Sequence, residues 1–304
     1  MVDHFEPKFG GADSRLALQR VAKWVEEYPR MAQGFADYDG CPPRYTWFFP
    51  YHEFEPALLR PLSALCFDGW GEIEMHIHHG DCARTPEELE QLLHTCVDAY
   101  SEFGVFTTLE DEPRQTYASI HGMWALDNAD ARYCGVENEF QLLAATGCYA
   151  DFSLPAPGKL QPKKVNAIYY VQDDPNGAKS HDRGIDVAVG RPSSGDLMLV
   201  SGPIAVDWRT TFRRLYPRID MGEISDTWLP EPTRAALWIR ANVHVVGQDQ
   251  WVFVKTFAHG APDASASVLL GDPMRRFHEH LNRQYNDGER FCLHYVTARE
   301  AYNI

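Results

Sequence analysis

The chain contains no run of about 18 consecutive apolar residues, which is the length that a membrane-spanning helix requires. Its N-terminus also lacks the basic and apolar segments of a secretory signal. The seven cysteines are odd in number and never form a Cys-x-x-Cys pair, which argues against a disulfide framework and a structural zinc knuckle. We therefore expect a protein of the reducing cytoplasm with no membrane partner.

Basic residues are scarce. The chain has 28 Lys and Arg residues against 43 Asp and Glu residues, and its formal net charge is −15 at pH 7. Nucleic-acid binding depends on a basic surface that replaces the counterions of the phosphates. This composition argues against a nucleic-acid partner and favours a neutral or cationic substrate.

Several catalytic signatures are missing as well. The sequence has no Gly-x-Ser-x-Gly elbow, no Gly-x-x-x-x-Gly-Lys-Ser/Thr loop, no His-Glu-x-x-His pair and no Rossmann glycine fingerprint after the first strand. These absences argue against a serine hydrolase, a P-loop enzyme, a thermolysin-like peptidase and a dinucleotide-dependent enzyme.

Strand-like and helix-like segments alternate along the 304 residues. Predicted strands cover residues 45–50, 71–78, 116–122, 148–154, 165–171, 197–201, 251–257 and 290–296, and predicted helices cover 13–32, 56–66, 85–103, 137–146, 232–243 and 273–284. The helix over 85–103 is predicted to start with a capping box formed by Thr85 and Glu88. The alternation implies parallel pairing with right-handed crossovers. We predict a single α/β domain, a distorted (β/α) barrel with seven or eight mostly parallel strands.

One long segment interrupts this pattern. From about residue 155 to residue 196 the helical signal disappears, and Pro, Gly, Asp, Ser and Lys dominate around one strand. Irregular segments of this length inside a compact domain are usually functional. We interpret the insertion as a substrate-binding loop or lid that carries His181.

The segment from Gly71 to Asp81 is the most informative part of the sequence. Alternation along a strand would place Glu74, His76 and His78 on one face, with His79 and Asp81 where the strand ends. Imidazole nitrogens and carboxylate oxygens are the ligands that zinc takes. The cluster therefore predicts a metal or catalytic centre, whereas the alternative is a strand whose histidines are satisfied by hydrogen bonds in the core.

Other histidines and carboxylates also follow predicted strands. The ends of parallel strands meet at one rim of a barrel, so residues that are distant in sequence can converge there. A metal, a basic carboxylate and an acidic histidine at such a rim would hydrolyse amides or esters. A paired-carboxylate glycosidase would leave the histidines unexplained. The converging residues are His52, Glu53, His76, His78, His79, His121, Asp151 and His259.

The order of these motifs resembles that of the polysaccharide deacetylase superfamily. The strand with His76, His78 and His79 resembles the metal-binding second motif, residues 119–124 lie where the third motif is expected, and residues 256–260 resemble the last motif with its acidic histidine. The resemblance implies a distorted (β/α) barrel that uses a divalent metal to remove N- or O-acetyl groups. More closely, residues 121–128, 147–155 and 293–300 resemble a bacterial subgroup of deacetylase-like proteins without an assigned reaction.

The first motif differs from the pattern of that family. Instead of Thr-Phe-Asp-Asp-Gly, the chain has residues 49–53, in which Glu53 and His52 take the places of the two aspartates. The usual His-x-x-x-His spacing is also absent, because Gly80 lies four residues after His76. By this resemblance metal binding would use His78 or His79.

Together these features predict a metal-dependent hydrolase that removes an acetyl group, held as an amide or ester, from a saccharide or a small amino-sugar compound. The predicted metal, most simply zinc, is held by His76 and His78 with Glu53 or His79. The predicted base is Glu53 or Asp151, and the predicted acid is His259 or His121. The candidate substrate-binding residues are Trp124, Asn128, Tyr149 and His181.

Two alternatives belong to other functional classes. A non-catalytic carbohydrate-binding barrel would bind saccharides without turnover or tightly held metal. A metal-independent C–N hydrolase of a small cyclic amide would resist chelators. The oligomeric state does not follow from the sequence.

Overall fold

The computed structural model describes residues 1–80, 82–109, 112–153, 158–209 and 216–304. Within these residues the helices are α1 (Ser14–Ala32), α2 (Pro56–Leu65), α3 (Pro86–Ser101), α4 (Glu139–Ala145), α5 (Pro232–Ala241), α6 (Asp263–Leu269), α7 (Asp272–Tyr285) and α8 (Ala298–Asn303). Single 3₁₀ turns occur at Tyr51–Glu53, Gly122–Trp124 and Ser180–Asp182, and a π turn occurs at Cys66–Trp70. No helix of the described chain is long and apolar enough to cross a membrane.

The strands are β1 (Val2–His4), β2 (Tyr45–Pro50), β3 (Gly71–Ile77), β4 (Thr107–Leu109), β5 (Glu112–His121), β6 (Cys148–Asp151), β7 (Ala167–Val171), β8 (Ile185–Asp186), β9 (Leu197–Ser201), β10 (Ala205–Asp207), β11 (Arg218–Asp220) and β12 (Phe257–Ala258). Ten of them form one sheet in the order β12-β1-β2-β3-β5-β6-β9-β7-β8, with β4 paired to β5. The pairs β12/β1, β1/β2, β3/β5, β5/β6 and β6/β9 are parallel, whereas β7 and β4 pair antiparallel with their neighbours.

The α/β class with a mostly parallel sheet is therefore confirmed. The strand order of the described residues has two different ends, β12 and β8, so closure into a barrel stays a prediction. The chain divides into two compact units. Unit 1 comprises residues 1–74, 223–235 and 256–304, and unit 2 comprises residues 75–222 and 236–255.

Aromatic residues form the core of unit 1. Trp24 of α1 is fully buried, and its ring contacts Tyr28, Tyr45 and Trp47 with centroid distances of 5.9, 5.0 and 6.1 Å. Its Nε1–H donates a 3.0 Å hydrogen bond to the carbonyl of Gly260. Helix α1 begins where the sequence predicts, because the side chain of Asp13 caps the first turn.

Helix α3 of unit 2 also begins where the sequence predicts. Thr85 accepts from the backbone of Glu88, whose side chain accepts from the backbone of Thr85, so the predicted capping box is confirmed. The helix buries Leu89, Leu93 and Tyr100 along one face. The capping box is the reason why the sequence alone identifies the start of the helix.

Two strand predictions differ from the structure. Of the predicted strand over residues 251–257, only Phe257 belongs to a strand, because the rest finds no neighbouring strand in the described chain. Residues 290–296 form no strand. In contrast, β1 was not predicted, since three residues are too few to show a period. Asp81, predicted at the end of the histidine strand, lies outside the described residues. So do residues 154–157, which include the end of one predicted strand and the start of the predicted insertion.

His278 on α7 supplies a pH-dependent contribution to stability. It is 5% exposed, and burial lowers its pKa to about 3. The unfolded chain therefore binds a proton below pH ~6.5 that the folded chain does not, and stability falls as the pH falls towards 3. We expect wild type to lose ~2 kcal/mol relative to His278→Gln between pH 7.5 and 5, measured by urea unfolding. His280→Gln is the control, because His280 is less buried than His278. If the unfolding free energy of wild type and of His278→Gln had the same dependence on pH, the prediction would be contradicted.

Candidate functional site

Parallel pairing of β3 with β5 brings predicted histidines to one edge of unit 2. Ile77 lies opposite His121 in the register of the two strands. The residues that directly follow Ile77, His78 and His79, therefore leave β3 at the level where β5 ends. This register explains how side chains more than forty positions apart in sequence become neighbours.

Two of these histidines, His79 and His121, form a buried group with Glu139 of α4. We call this group the His/Glu trio. Their ligand atoms lie within 4.8 Å of one another. Nε2 of His79 is 3.0 Å from Oε1 of Glu139, and Nε2 of His121 is 3.8 Å from the same oxygen. The rings meet edge to face with centroids 4.7 Å apart. The trio is a His/Glu group that could hold a metal ion.

The other ring nitrogen of each histidine is bound to the backbone. Nδ1–H of His79 donates to the carbonyl of Ala83 at 2.9 Å, and Nδ1–H of His121 donates to the carbonyl of Gly122 at 2.6 Å. Metal-binding histidines usually donate their second N–H in this way, which fixes the tautomer and the ring orientation. Nε2 of His121 is buried without a hydrogen-bond partner. Such an orphaned acceptor costs free energy that a bound cation would offset.

The electrostatics of the trio also suit a cation. Burial lowers the pKa of His121 to about 3, so its ring is neutral and its Nε2 lone pair is available. Burial disfavours a charge on His79, but the carboxylate of Glu139 outweighs this effect and raises the pKa of His79. Burial would raise the pKa of Glu139, yet the two histidines hold it below its usual value. Two imidazole nitrogens and one carboxylate oxygen form a donor set that zinc accepts.

Glu139 is the member of the His/Glu trio that the sequence analysis missed. It lies in the first turn of α4, is 1% exposed, and its Oε2 accepts from the backbone N–H of Asp127 at 2.6 Å. The helix was predicted, but its acid was not assigned to the site. Glu139 is four residues before Leu143 and shares its buried face. An acid on the apolar face of a helix is the signal that could have found it.

His76 and His78, both predicted ligands, are hydrogen-bonded to each other. Their Nε2 atoms are 3.1 Å apart, and Nδ1–H of His76 donates to the carbonyl of Ile120. His78 and His121 line a small pocket of about 60 Å³, which exceeds the ~10–15 Å³ that one water needs. At Gly122, a methyl group would lie 2.2 Å from the ring of His78. The glycine therefore permits the close approach that shapes this pocket.

Asp151, a predicted base, is held by a network of hydroxyl groups. It is 1% exposed and accepts from Ser119 Oγ at 2.8 Å and from Ser153 Oγ at 2.9 Å. Ser153 Oγ in turn accepts from the backbone N–H of His121 at 2.7 Å. Burial raises the pKa of Asp151 to about 6, although the nearby Lys255 opposes this rise. In this geometry Asp151 positions the strand end that carries His121.

The chain after β5 is strained. Met123, Trp124, Asp127 and Asn128 all have positive φ, between 46° and 57°, a region that residues other than glycine rarely adopt. Such strain tends to occur at functional sites. Trp124 and Asn128 were predicted to bind substrate; both are half-buried, and Nδ2 of Asn128 donates to Glu137.

The other two predicted substrate residues lie elsewhere in unit 2. Tyr149 is half-buried on β6. His181 is fully buried, and its ring centroid lies 5.7 Å from that of Phe140. Burial lowers the pKa of His181 to about 4, so its ring is neutral. Substrate binding by these residues stays a prediction.

Two predicted catalytic residues belong to unit 1. Glu53 is buried, and its Oε2 accepts from the backbone N–H of Lys8. His259 follows β12, and its ring stacks on that of His4 with centroids 4.8 Å apart. The roles of Glu53 as base and His259 as acid stay predictions.

Strand β1 adds polar residues to unit 1 that the sequence analysis missed. Asp3 and His4 are buried, as is Glu6 just after the strand. Asp3 accepts from the N–H of Gly260 at 2.7 Å and from the hydroxyl of Tyr45 at 3.0 Å, and burial raises its pKa to about 7. The run Asp-His-Phe-Glu resembles the polar endings of the other strands and could have revealed β1.

Comparison of the sequence with models of known protein families found no match, and comparison with curated proteins found no significant match. Inference about the function of this chain therefore rests on the fold and on the geometry of the His/Glu trio.

Proposed function

We propose that this chain is a metal-dependent hydrolase that removes an acetyl group, held as an amide or ester, from a saccharide or a small amino-sugar compound. The observation that supports the proposal is the His/Glu trio, in which the Nε2 atoms of His79 and His121 and a carboxylate oxygen of Glu139 converge while both Nδ1–H groups bind the backbone. Closure of the sheet into a distorted (β/α) barrel is part of this proposal.

Zinc is the metal that we propose. Three protein ligands of the His₂Glu type with one open position are typical of catalytic zinc sites. A divalent ion held there would polarise the carbonyl group of the substrate and activate a water molecule for attack. This assignment makes His121 a ligand rather than the acid, since Nε2, its ring nitrogen without a hydrogen-bond partner, lies beside Glu139.

Neighbouring residues would then exchange a proton with the substrate and hold the site residues in position. His78 lines the same pocket as His121, and its ring is hydrogen-bonded to the buried His76. We assign His78 the exchange of a proton with the substrate, with His76 fixing its orientation. Asp151 and Ser153 act as positioning residues, because they hold the backbone of His121. Glu53 and His259 stay the candidates from the sequence for base and acid.

The test combines metal content with acetate release. Purified protein is treated with chelator, reloaded with zinc and assayed for acetate released from N- and O-acetylated saccharides. We expect release only from the zinc-loaded protein. Glu139→Gln removes the charge at nearly constant volume and should lower both metal affinity and acetate release by at least ~100-fold.

The matched control is Glu90→Gln, an exposed glutamate on α3, which should behave like wild type. Acetate release that survives chelation and Glu139→Gln would overturn the metal mechanism and favour a metal-independent hydrolase. Saccharide binding without turnover, in a protein that takes up no metal, would favour the non-catalytic alternative.

A further inference from the structure

Residues 173–182 of the insertion, which we call the anchor loop, contact the residue whose backbone binds Glu139. The N–H of Asp127 donates to Oε2 of Glu139 at 2.6 Å. Asp127 is also bound by the anchor loop, because the N–H of Lys179 donates to its carbonyl at 2.8 Å and the N–H of Ser180 donates to its Oδ2. Asp127 therefore connects the anchor loop to the His/Glu trio within unit 2.

Two features of Asp127 cost free energy. Its φ is 53°, in a region that residues other than glycine rarely adopt, and its buried Oδ1 has no hydrogen-bond partner among the described residues. A residue persists in such a state where the surrounding contacts hold it, and residues of this kind cluster at functional sites. The contacts that hold Asp127 come from Lys179 and Ser180 of the anchor loop and from Glu139.

The anchor loop also holds the helix that carries Glu139. The N–H of Gln141, in the first turn of α4, donates to Oδ2 of Asp173 at 3.1 Å. An N–H in the first turn of a helix has no acceptor within the helix, so Asp173 supplies one. Oδ1 of the same aspartate accepts from the hydroxyl of Ser180 at 3.2 Å. The anchor loop thus reaches Glu139 by two routes, one through Asp127 and one through the helix turn.

The turn at Ser180–Asp182 is itself held in place. His181 is fully buried, with its ring against that of Phe140, and its carbonyl accepts from the hydroxyl of Tyr169 on β7 at 2.7 Å. Nζ of Lys179 donates to two backbone carbonyls of the insertion at 2.7 and 2.8 Å. Lids that open are drawn from segments with few buried contacts. The buried contacts of the anchor loop are those of a fixed support.

We propose that the anchor loop is a support that positions the metal ligand Glu139, with Asp127 and Asp173 as its positioning residues. Asp127 orients the carboxylate, and Asp173 holds the first turn of α4. The inference rests on the proposed metal site and adds that the geometry of this site depends on the insertion. Carboxylates that bind metals are commonly held by hydrogen bonds of this kind, and loss of such a partner lowers metal affinity.

The test is a calorimetric titration of the chelator-treated full chain with zinc. Asp127→Ala should lower zinc affinity by ~10-fold or more, because the N–H of Ser180 loses its acceptor and the residue that binds Glu139 is no longer held. Asp127→Asn keeps an oxygen at this position and tolerates positive φ, so it should retain most of the affinity. In a Glu139→Gln background, Asp127→Ala should cause no further loss, because Asp127 acts through Glu139.

Asp98→Ala is the matched control, since Asp98 is an exposed aspartate on α3 of the same unit. It should bind zinc like wild type. Wild-type affinity in Asp127→Ala, or a loss that simply adds to that of Glu139→Gln, would overturn the positioning role.

A second measurement separates this inference from the hydrolase proposal, because it needs no metal. NMR signals of the ring nitrogens of His79 in the zinc-free protein report its 3.0 Å contact with Glu139. These signals should shift in Asp127→Ala and stay unchanged in Asp98→Ala. A wild-type chain that takes up no zinc would contradict the metal-dependent hydrolase. Unchanged His79 signals in Asp127→Ala would contradict the positioning of Glu139 by the anchor loop.

Discussion

Replacing His121 by alanine should weaken zinc binding by about three orders of magnitude. A structural zinc site contributes ~10–16 kcal/mol of apparent binding free energy, so one of three protein ligands accounts for several kcal/mol. The trio would keep only Nε2 of His79 and the carboxylate of Glu139, which already contact each other at 3.0 Å. Calorimetric titration of chelator-treated protein with zinc measures the loss directly.

The same substitution should also lower stability in the absence of metal, because it truncates a ring that is 3% exposed and removes its hydrogen bond to the carbonyl of Gly122. A purely structural histidine would show this loss of stability alone, with zinc affinity unchanged. His94→Ala is the control, because His94 is an exposed histidine on α3 of the same unit. Full zinc affinity in His121→Ala would remove His121 from the site.

Replacing Trp24 by alanine should destabilise the protein by about 4 kcal/mol. The side chain is fully buried among aromatic rings, and Nε1–H binds the carbonyl of Gly260. Truncation removes a large apolar surface, leaves a cavity that the stiff neighbouring rings cannot fill, and leaves the Gly260 carbonyl without this donor. Urea unfolding at neutral pH measures the difference between variant and wild type.

Leu18→Ala gives the comparison on the same helix. Leu18 lies on α1 with 40% of its surface exposed, so its truncation should cost less than ~1 kcal/mol. Similar losses for the two variants would show that the aromatic cluster of unit 1 contributes less than its burial indicates.

The elements that sequence reasoning placed correctly are those whose signals are local. Strands β2 and β9 have the predicted ends, and α3 begins at its predicted capping box. Capping is complete within four residues, and helical periodicity is complete within a few turns, so neither depends on distant parts of the chain. Strand β12 shows the contrast: residues 251–257 have strand-like composition, but a strand also needs a neighbour with which to exchange hydrogen bonds.

The candidate site likewise has a part that the sequence alone predicts and a part that only the tertiary structure shows. The sequence by itself determined that β5 ends in a histidine and that two histidines directly follow β3, because both strands are long enough to show their pattern. Only the tertiary structure decided that His79 and His121 meet, and that Glu139 from α4 completes the group. The reason is physical: strand register and helix packing depend on the burial of apolar surface between distant segments, and no local pattern encodes that choice of partner.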